Sequence, residues 1–407
     1  MQTIDISIQN KKVGELFFDP LKKDYGFNYT CESPPVSLTM PYQKSTYTSH
    51  YHLHPIFEMN LPEGYLYEVF KGILSKEYGY IDDFLVLSYL APHIEGRLSF
   101  DSQFEKRLFE GIDIDEILYN DSDDTFHKLL KTFLGKNAIS GVQPKTLALI
   151  KDKESLVLKE YIVKTWGSEY PRLAQNEYYS MRAVQKAGVV IPNIQLSKNK
   201  KFLLVEKFTY DKKRDIYLGF EEILVLMGKN RDKKYSGSYE QIAKLIYAVT
   251  TDKAYSMKQF YQTMAMNYLL KNGDAHLKNF GILYDNSFES ILFAPAYDVI
   301  NTVVYIHSDK PALTMFGKKV WWGKKELIEF GIKHCYLSTK IANNLYDKSI
   351  QATIETIAEI KDEIQSDPKF ELIGERMIES WNLSLDEKTY KELPLEIRRD
   401  WKKDKRA

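Results

Sequence analysis

Apolar and polar side chains alternate at the start of the chain. Ile4, Ile6 and Ile8 are separated by single polar residues. A period of two predicts a strand that buries one of its faces. A proline pair at 34–35 interrupts this extended pattern. We therefore predict that residues 1–105 form a β-rich N-terminal subdomain.

A helical period appears in the middle of the chain, over residues 171–187. Leu173, Met181 and Val184 recur at close to helical spacing, and Gly188 is placed to end the helix. This amphipathic pattern predicts one clear helix in an otherwise extended part of the chain.

Short extended runs flank that helix, with 156–158 and 161–163 before it and 202–205 after it. The order of strand, helix and strand, ending at 206–208, resembles the small lobe and hinge of a kinase. We predict that residues 106–209 form this lobe.

Residues 210–407 are predicted to be mainly helical, with a short hairpin near 280–293. Ser256 is a candidate N-cap for the helix that precedes residue 272. The polar segment 229–238 contains glycine and predicts a mobile loop. Together the three stretches predict an α+β fold. It is a bilobal, protein-kinase-like fold with an N-terminal β-rich subdomain and a mainly helical C-terminal lobe.

The loop around Asp274 carries the most informative chemistry. Asp274 and Asn279 have the D-x-x-x-x-N spacing of kinase catalytic loops, and the hairpin would return Asp298 beside them. Phosphoryl transfer requires a positioned hydroxyl and magnesium held by oxygen ligands. We predict that Asp274 faces the attacking hydroxyl while Asn279 and Asp298 hold Mg²⁺. Lys278 is placed to reach the γ-phosphate, and His276 to brace the loop or a phosphate.

ATP also requires donors for its phosphates. The loop 140–146 (SGVQPKT) has one glycine and several donors, so its backbone can approach a phosphate. It matches neither G-x-x-x-x-G-K-[ST] nor G-x-G-x-x-G, and a simple turn between strands is the alternative. The cofactor-binding residues predicted in this loop are Gly141, Val142, Gln143 and Lys145.

A strand-end lysine before the helix is expected to pair with the phosphates. Lys164 fits best, and Lys159 is the competitor. Glu177 on the helix is a candidate ion-pair partner for this lysine. Glu206 and Phe208 are expected to offer backbone groups to adenine.

Composition narrows the class of protein. The 407 residues include 56 Lys and Arg against 56 Asp and Glu, so no global field favours nucleic acid or an anionic membrane. Two cysteines form no disulfide framework, which favours a reducing cytosol. No apolar run approaches the roughly 20 residues that span a bilayer. We expect a cytoplasmic protein that does not contact a membrane.

These segments together resemble the HipA-type serine/threonine kinases, the toxins of bacterial toxin–antitoxin modules. The resemblance covers essentially the whole chain. It rests on a combination of motifs: 61–64 (LPEG), 140–146 (SGVQPKT), 161–164 (YIVK), 176–179 (NEYY), 205–208 (VEKF), 272–280 (NGDAHLKNF) and 295–299 (PAYDV).

The resemblance implies ATP and Mg²⁺ as cofactors. It also implies an aminoacyl-tRNA synthetase, typically the glutamate enzyme, as the phosphorylated target, with arrest of translation as the result. A small helix-turn-helix antitoxin of the HipB type would be the partner and would supply the contact with DNA. Ser140 is the implied site of inhibitory autophosphorylation, because the neighbouring serine position of the family is Ala138 here. The loop reads Val-Gln-Pro-Lys where some members have Ala-Gln-Glu-Lys.

Two other functions are compatible with the same loop. Aminoglycoside and choline kinases have a similar catalytic loop and phosphorylate a small hydroxyl compound. A scaffold that binds ATP without catalysis would also keep this fold. The N-terminal stretch and the loop 140–146 favour the HipA-type kinase over the small-molecule kinases, and the presence of all the expected catalytic residue types argues against the scaffold.

Overall fold

The computed structural model describes residues 2–104, 114–122, 125, 154–157, 161–165 and 169–385. The chain forms two compact units. The first draws on residues 1–169, 196–234 and 283–289, and the second on 170–195, 235–282 and 290–407. The predicted division at 105 and 209 differs from these units and stays a prediction.

A five-stranded antiparallel sheet opens the first unit. Its strands lie in the spatial order Tyr47–His50, Asp24–Tyr29, Lys11–Asp19, Gln2–Ile8 and Leu98–Asp101. Ile4, Ile6 and Ile8 are all buried, as the alternation of side chains requires. The predicted β-rich start of the chain is confirmed.

The first unit also contains the helices Pro55–Glu58, Gly64–Tyr78, Asp83–Leu90 and Ile114–Tyr119 and the 3₁₀ turn Ala91–His93. A second sheet of the first unit pairs the strands Glu154–Val157, Tyr161–Thr165 and Leu203–Glu206. Val163 and Leu204 of this sheet, together with Phe202 directly before its strand Leu203–Glu206, belong to the same buried cluster as the N-terminal strands. A single hydrophobic core therefore joins the β-rich start to the predicted small lobe.

The remaining elements among the described residues of the first unit are short. They are the strands Tyr210–Asp211, Ile216–Tyr217 and Gly219–Glu222, the helix Ile223–Leu226 and the 3₁₀ turn Arg231–Lys233. The predicted loop 229–238 contains this single turn. Two of the sequence positions at which one unit ends and the other begins fall within the strands Ile194–Leu196 and Gly281–Tyr284.

The second unit is mainly helical, as predicted for this part of the chain. The α-helices in its described residues are Leu173–Lys186, Tyr239–Val249, Lys253–Leu269, Lys324–Lys333, Thr339–Ser366 and Glu371–Leu385. The first of them confirms the helix predicted over 171–187. In the part of the chain that the structure describes, no helix combines the length and the apolar character that crossing a bilayer would require.

The helix Lys253–Leu269 is buried on most of its surface and leads directly into the candidate catalytic loop. Asp252 caps it by accepting a hydrogen bond from the N–H of Tyr255 at 2.9 Å. The prediction of Ser256 as N-cap was wrong. Ser256 lies inside the helix, where its hydroxyl accepts a hydrogen bond at 3.1 Å from the N–H of Phe293 in the hairpin strand Ile291–Phe293.

Candidate active site

The loop that carries Asp274 is fixed at its start by asparagine side chains. The Asn272 amide donates to Asn267 Oδ1 at 2.8 Å, and its N–H donates to the carbonyl of Asn267 at 2.9 Å. Asn272 Oδ1 in turn accepts the N–H of Asp274 at 3.2 Å. The end of the buried helix thereby determines where the backbone of Asp274 lies.

Gly273 is required at its position by close packing. Its N–H donates to Thr302 Oγ1 at 2.8 Å. A Cβ atom built on Gly273 would lie 2.0 Å from Asp309 Oδ2 and 2.7 Å from Thr302 Oγ1. The Thr302 hydroxyl also donates to Asp309 Oδ2. Burial raises the pKa of the Asp309 carboxyl, and the nearby charge of Asp274 acts in the same direction.

The Asp274 side chain projects from this loop and is 41% exposed. Its Oδ1 accepts a hydrogen bond from the Tyr235 hydroxyl at 2.7 Å. The buried His276 ring places its Nε2 3.9 Å from the same oxygen. The N–H of His276 donates to the Asp274 carbonyl at 2.7 Å. A solvent-accessible carboxylate on a rigid backbone can accept a proton from a hydroxyl group.

Asn279 and Asp298 meet although the hairpin separates them in the sequence. Asn279 lies in the 3₁₀ turn Leu277–Asn279, and its amide nitrogen donates to Asp298 Oδ2 at 2.9 Å. Asp298 adopts a left-handed backbone conformation with φ of 60°. The Tyr297 hydroxyl donates to the Lys278 carbonyl at 2.6 Å. The expectation that the hairpin returns Asp298 to the loop is confirmed.

This pair has the donor set that magnesium prefers. Asn279 Oδ1 is buried and has no hydrogen-bond partner among the described residues. A buried acceptor without a partner is costly unless a ligand satisfies it. An amide oxygen and a carboxylate are hard ligands, and Mg²⁺ commonly takes one or two such groups together with phosphate oxygens and water. The two residues therefore fit a magnesium ion bound with a nucleotide.

A buried asparagine clamp holds the segment that follows Asp298. Asn176 Nδ2 donates to the Asn301 carbonyl at 2.9 Å, and the N–H of Asn301 donates back to Asn176 Oδ1 at 2.9 Å. Asn301 Nδ2 donates to Ser380 Oγ at 2.6 Å. The clamp attaches the backbone after Asp298 to two helices, Leu173–Lys186 and Glu371–Leu385.

The other predicted nucleotide-binding residues are distributed over both units. Lys164 is 7% exposed in the strand Tyr161–Thr165 of the first unit. Glu206 ends the strand Leu203–Glu206 of the same unit and forms an ion pair with Lys212 at 3.0 Å. Phe208, also in the first unit, packs against Phe220. Glu177 is 2% exposed in a helix of the second unit.

Several predicted residues lie outside the described part of the chain. They are Lys159 and the loop residues Ser140, Gly141, Val142, Gln143 and Lys145. The choice between Lys164 and Lys159 as the ATP lysine stays a prediction, as do the roles of the loop. Within the described ranges, no group of three or more His, Cys, Asp or Glu side chains could hold a metal ion.

Sequence reasoning missed three residues of the loop's surroundings: Tyr235, Thr302 and Asp309. Tyr235 lies in the segment predicted as a polar mobile loop, and nothing in its neighbours indicates a contact with Asp274. Thr302 and Asp309 follow the hairpin by several residues and match no motif. Only the nearby Asp298 gave a signal that this part of the chain returns to the loop.

Comparison with known protein families matches both parts of the chain. Residues 4–101 match a model described as the HipA N-terminal domain, and residues 137–364 match a model described as the HipA-like C-terminal domain. The second match covers more than half of the chain.

Three curated relatives are similar over part of their length. A Haemophilus influenzae protein whose name proposes a kinase is 32% identical over 184 residues, which are 41% of this chain and 53% of that protein. Two Sinorhizobium fredii proteins with similar names are each 26% identical, over 44% and 45% of this chain and 49% and 46% of their own lengths. The chain spans about half the length of the curated relatives it matches.

A solved structure has the same fold over nearly the whole chain. It is the Shewanella oneidensis MR-1 toxin–antitoxin system of HipA, HipB and its operator DNA. The similarity has a TM-score of 0.68 at 16% sequence identity and covers 94% of this chain and 97% of that one. At this identity the similarity establishes the fold.

Proposed function

This chain belongs to the HipA family, and from that membership we propose that it is an ATP- and Mg²⁺-dependent serine/threonine protein kinase of the toxin type. The observation that carries the proposal is the pairing of Asn279 with Asp298. The pair leaves a buried amide oxygen available for a metal ion, five residues after the exposed carboxylate of Asp274. This is the separation between proton acceptor and metal ligand in kinase catalytic loops.

In the proposed reaction, the acceptor oxygen forms a bond to the γ-phosphorus and the bond from that phosphorus to the ADP oxygen breaks. Asp274 orients the acceptor hydroxyl and receives its proton. Asn279 and Asp298 would hold Mg²⁺, which when bound neutralises charge on the phosphates. Lys164 would fix the phosphates, and Lys278 would reach the γ-phosphate. His276 would brace the loop.

The remaining nucleotide contacts are proposed from the family resemblance. The backbone of Glu206 and Phe208 would bind adenine. The loop with Gly141, Val142, Gln143 and Lys145 would cover the phosphates.

The proposed substrate and partner also follow from family membership. The substrate would be an aminoacyl-tRNA synthetase in the cytoplasm, whose phosphorylation inhibits translation. The partner would be a helix-turn-helix antitoxin of the HipB type, as in the similar complex with HipB and operator DNA. The equal numbers of basic and acidic residues, 56 each, fit a chain that reaches DNA through its partner.

A transfer assay with labelled ATP tests the reaction. The purified protein is incubated with Mg²⁺ and a bacterial lysate, and then with purified synthetases. We expect a labelled protein band that Asp274→Asn weakens by at least about 100-fold, because the variant keeps the shape of the side chain but loses the proton acceptor. Asp362→Asn, an exposed position on the helix Thr339–Ser366, is the matched control and should keep full transfer. Label on a small molecule alone would favour the aminoglycoside-type alternative, and transfer that persists in Asp274→Asn would contradict the proposed role.

Autophosphorylation is tested separately at Ser140. Mass spectrometry after incubation with ATP should find phosphate on the peptide that contains Ser140. In Ser140→Ala this phosphate should be absent, and the initial rate of transfer to substrate should be maintained for longer. Phosphate that is missing from the wild-type peptide, or unchanged in the variant, would refute this site.

A further inference from the structure

A tyrosine hydroxyl of the protein contacts the candidate catalytic carboxylate of Asp274. Tyr235 Oη donates to Asp274 Oδ1 at 2.7 Å. A catalytic base must lie about 2.6–3.2 Å from the hydroxyl whose proton it accepts. The hydroxyl oxygen of Tyr235 therefore lies at the distance from Asp274 that the hydroxyl oxygen of a substrate must have.

The Tyr235 ring has a second contact that determines its direction. It lies edge-on to the buried His276 ring, with 5.1 Å between centroids and 79° between planes. This geometry is the favourable T-shaped arrangement of aromatic rings. The ring and the hydroxyl together place Tyr235 against the loop at two points.

The backbone that follows Tyr235 is held by the start of the next helix. Gly237 has a φ of 136°, which side-chain-bearing residues rarely adopt. Ser238 is anchored immediately afterwards, because it forms a capping box with Gln241 at the start of the helix Tyr239–Val249. The Gly237 carbonyl also accepts hydrogen bonds from the N–H and the hydroxyl of Thr314, at 3.4 and 3.3 Å, so the backbone is anchored two residues after Tyr235.

Exposure argues against Tyr235 being needed to orient Asp274. Tyr235 is 48% exposed, and the Asp274 side chain is 41% exposed. The backbone of Asp274 is already fixed by Asn272 and, through Gly273, by Thr302. A solvent-exposed hydrogen bond contributes only about 0.5–1.5 kcal/mol, so an incoming hydroxyl can displace this phenol.

We propose that Tyr235 is an acceptor-site residue whose hydroxyl occupies the position of the substrate hydroxyl, and that an aliphatic serine or threonine hydroxyl must displace it to reach Asp274. This inference rests on the proposed kinase function. Competition of this kind raises the apparent KM for the protein substrate, because only the fraction of molecules with Tyr235 displaced can bind it. The chemical step after displacement is unaffected.

Hydrogen–deuterium exchange tests the contact without any activity. Tyr235→Phe keeps the ring and removes the donor, and Asp274→Ala removes the acceptor. We expect each variant to increase exchange in the peptide that spans residues 234–238, and the double variant to exchange no faster than either single variant. Unchanged exchange in Tyr235→Phe would overturn the proposal while leaving the proposed function intact.

Steady-state kinetics test the competition, with the protein that the transfer assay identifies as the substrate. Tyr235→Phe should lower the KM for that substrate about twofold to tenfold at unchanged kcat, the fold-change that corresponds to losing one exposed hydrogen bond. Tyr247→Phe, an exposed tyrosine on the helix Tyr239–Val249, is the matched control and should leave both constants unchanged. A lower kcat at unchanged KM would overturn competition in favour of positioning, and phosphate on Tyr235 would show it to be an acceptor instead. If the wild-type protein shows no phosphate transfer that depends on Asp274, the proposed function itself is refuted.

Discussion

The sharpest stability prediction concerns Lys271, two residues before Gly273. Lys271 is 5% exposed, and its Nζ lies 4.9 Å from the centre of the Trp321 ring. Together with Tyr268 and Tyr346, these residues line a cavity of about 150 Å³. Burial lowers the pKa of the Lys271 ammonium group from 10.5 to about 7. Replacement of Lys271 by methionine keeps an unbranched side chain of similar length and removes the titration.

The magnitude follows from the pKa shift. Between pH 7 and 10.5, the unfolded chain binds a proton at Lys271 that the folded protein does not bind. The free energy of unfolding of the wild type therefore rises with pH in this window, by about 1.4 kcal/mol per pH unit from this group. Below pH 7 both states are protonated, and the full penalty of about 5 kcal/mol is present. The free energy of unfolding of Lys271→Met lacks this rise. Its difference from the wild type should therefore shift by about 2.7 kcal/mol in favour of the wild type between about pH 7.5 and about pH 9.5.

Urea denaturation at constant ionic strength measures this difference. Unfolding is followed by circular dichroism and tryptophan fluorescence at both pH values for the wild type and Lys271→Met. The comparison of two proteins at each pH cancels the titration of all other groups. Lys348→Met, an exposed position on the helix Thr339–Ser366, is the control and should show no pH-dependent difference. If Lys271→Met and the wild type differ equally at both pH values, Lys271 stays protonated in the folded protein and the reasoning from burial is wrong.

Three further predictions test the loop and the first unit. Asp298→Asn should lower kcat by at least about 100-fold with little loss of stability, since it removes a metal-binding charge; transfer kinetics across a Mg²⁺ titration measure this, and unchanged Mg²⁺ dependence would contradict it. Gly273→Ala should destabilise the protein by about 1–3 kcal/mol, because its Cβ would lie 2.0 Å from Asp309 Oδ2 and 2.7 Å from Thr302 Oγ1; a urea midpoint equal to that of the wild type would show that the loop can relax. Asp121→Ala should lower the free energy of unfolding by about 3 kcal/mol or more, because this buried carboxylate accepts four hydrogen bonds from the segment 197–201 and the variant leaves those donors without an acceptor. Thermal unfolding checks this, and a decrease in Tm of less than about 2 °C would refute it.

Local patterns in the sequence predicted the elements well. The alternation of Ile4, Ile6 and Ile8 gave a strand because side chains on a strand point to opposite faces in turn. The helix Leu173–Lys186 followed from apolar positions spaced by one helical turn. Both signals depend only on residues within a few positions of one another, so no knowledge of the rest of the molecule was needed.

The helix N-cap shows where local reasoning fails. Both Asp252 and Ser256 are residue types that cap helices, and they are four positions apart. The sequence offered no reason to prefer the earlier one. The hydroxyl of Ser256 is instead used by the N–H of Phe293, which arrives from a hairpin more than thirty residues later.

The sequence by itself determined the identity and spacing of the reacting groups, because Asp274 and Asn279 lie on one short loop whose reach is set by covalent geometry. It also determined that a hairpin follows, and hence that Asp298 returns to that loop. Only the tertiary structure decided that Tyr235 contacts Asp274 and that Asp309 closes on Gly273. Each of these contacts joins two segments, and the sequence of neither segment indicates that it contacts the other. The packing of the surrounding helices and loops brings the two segments together.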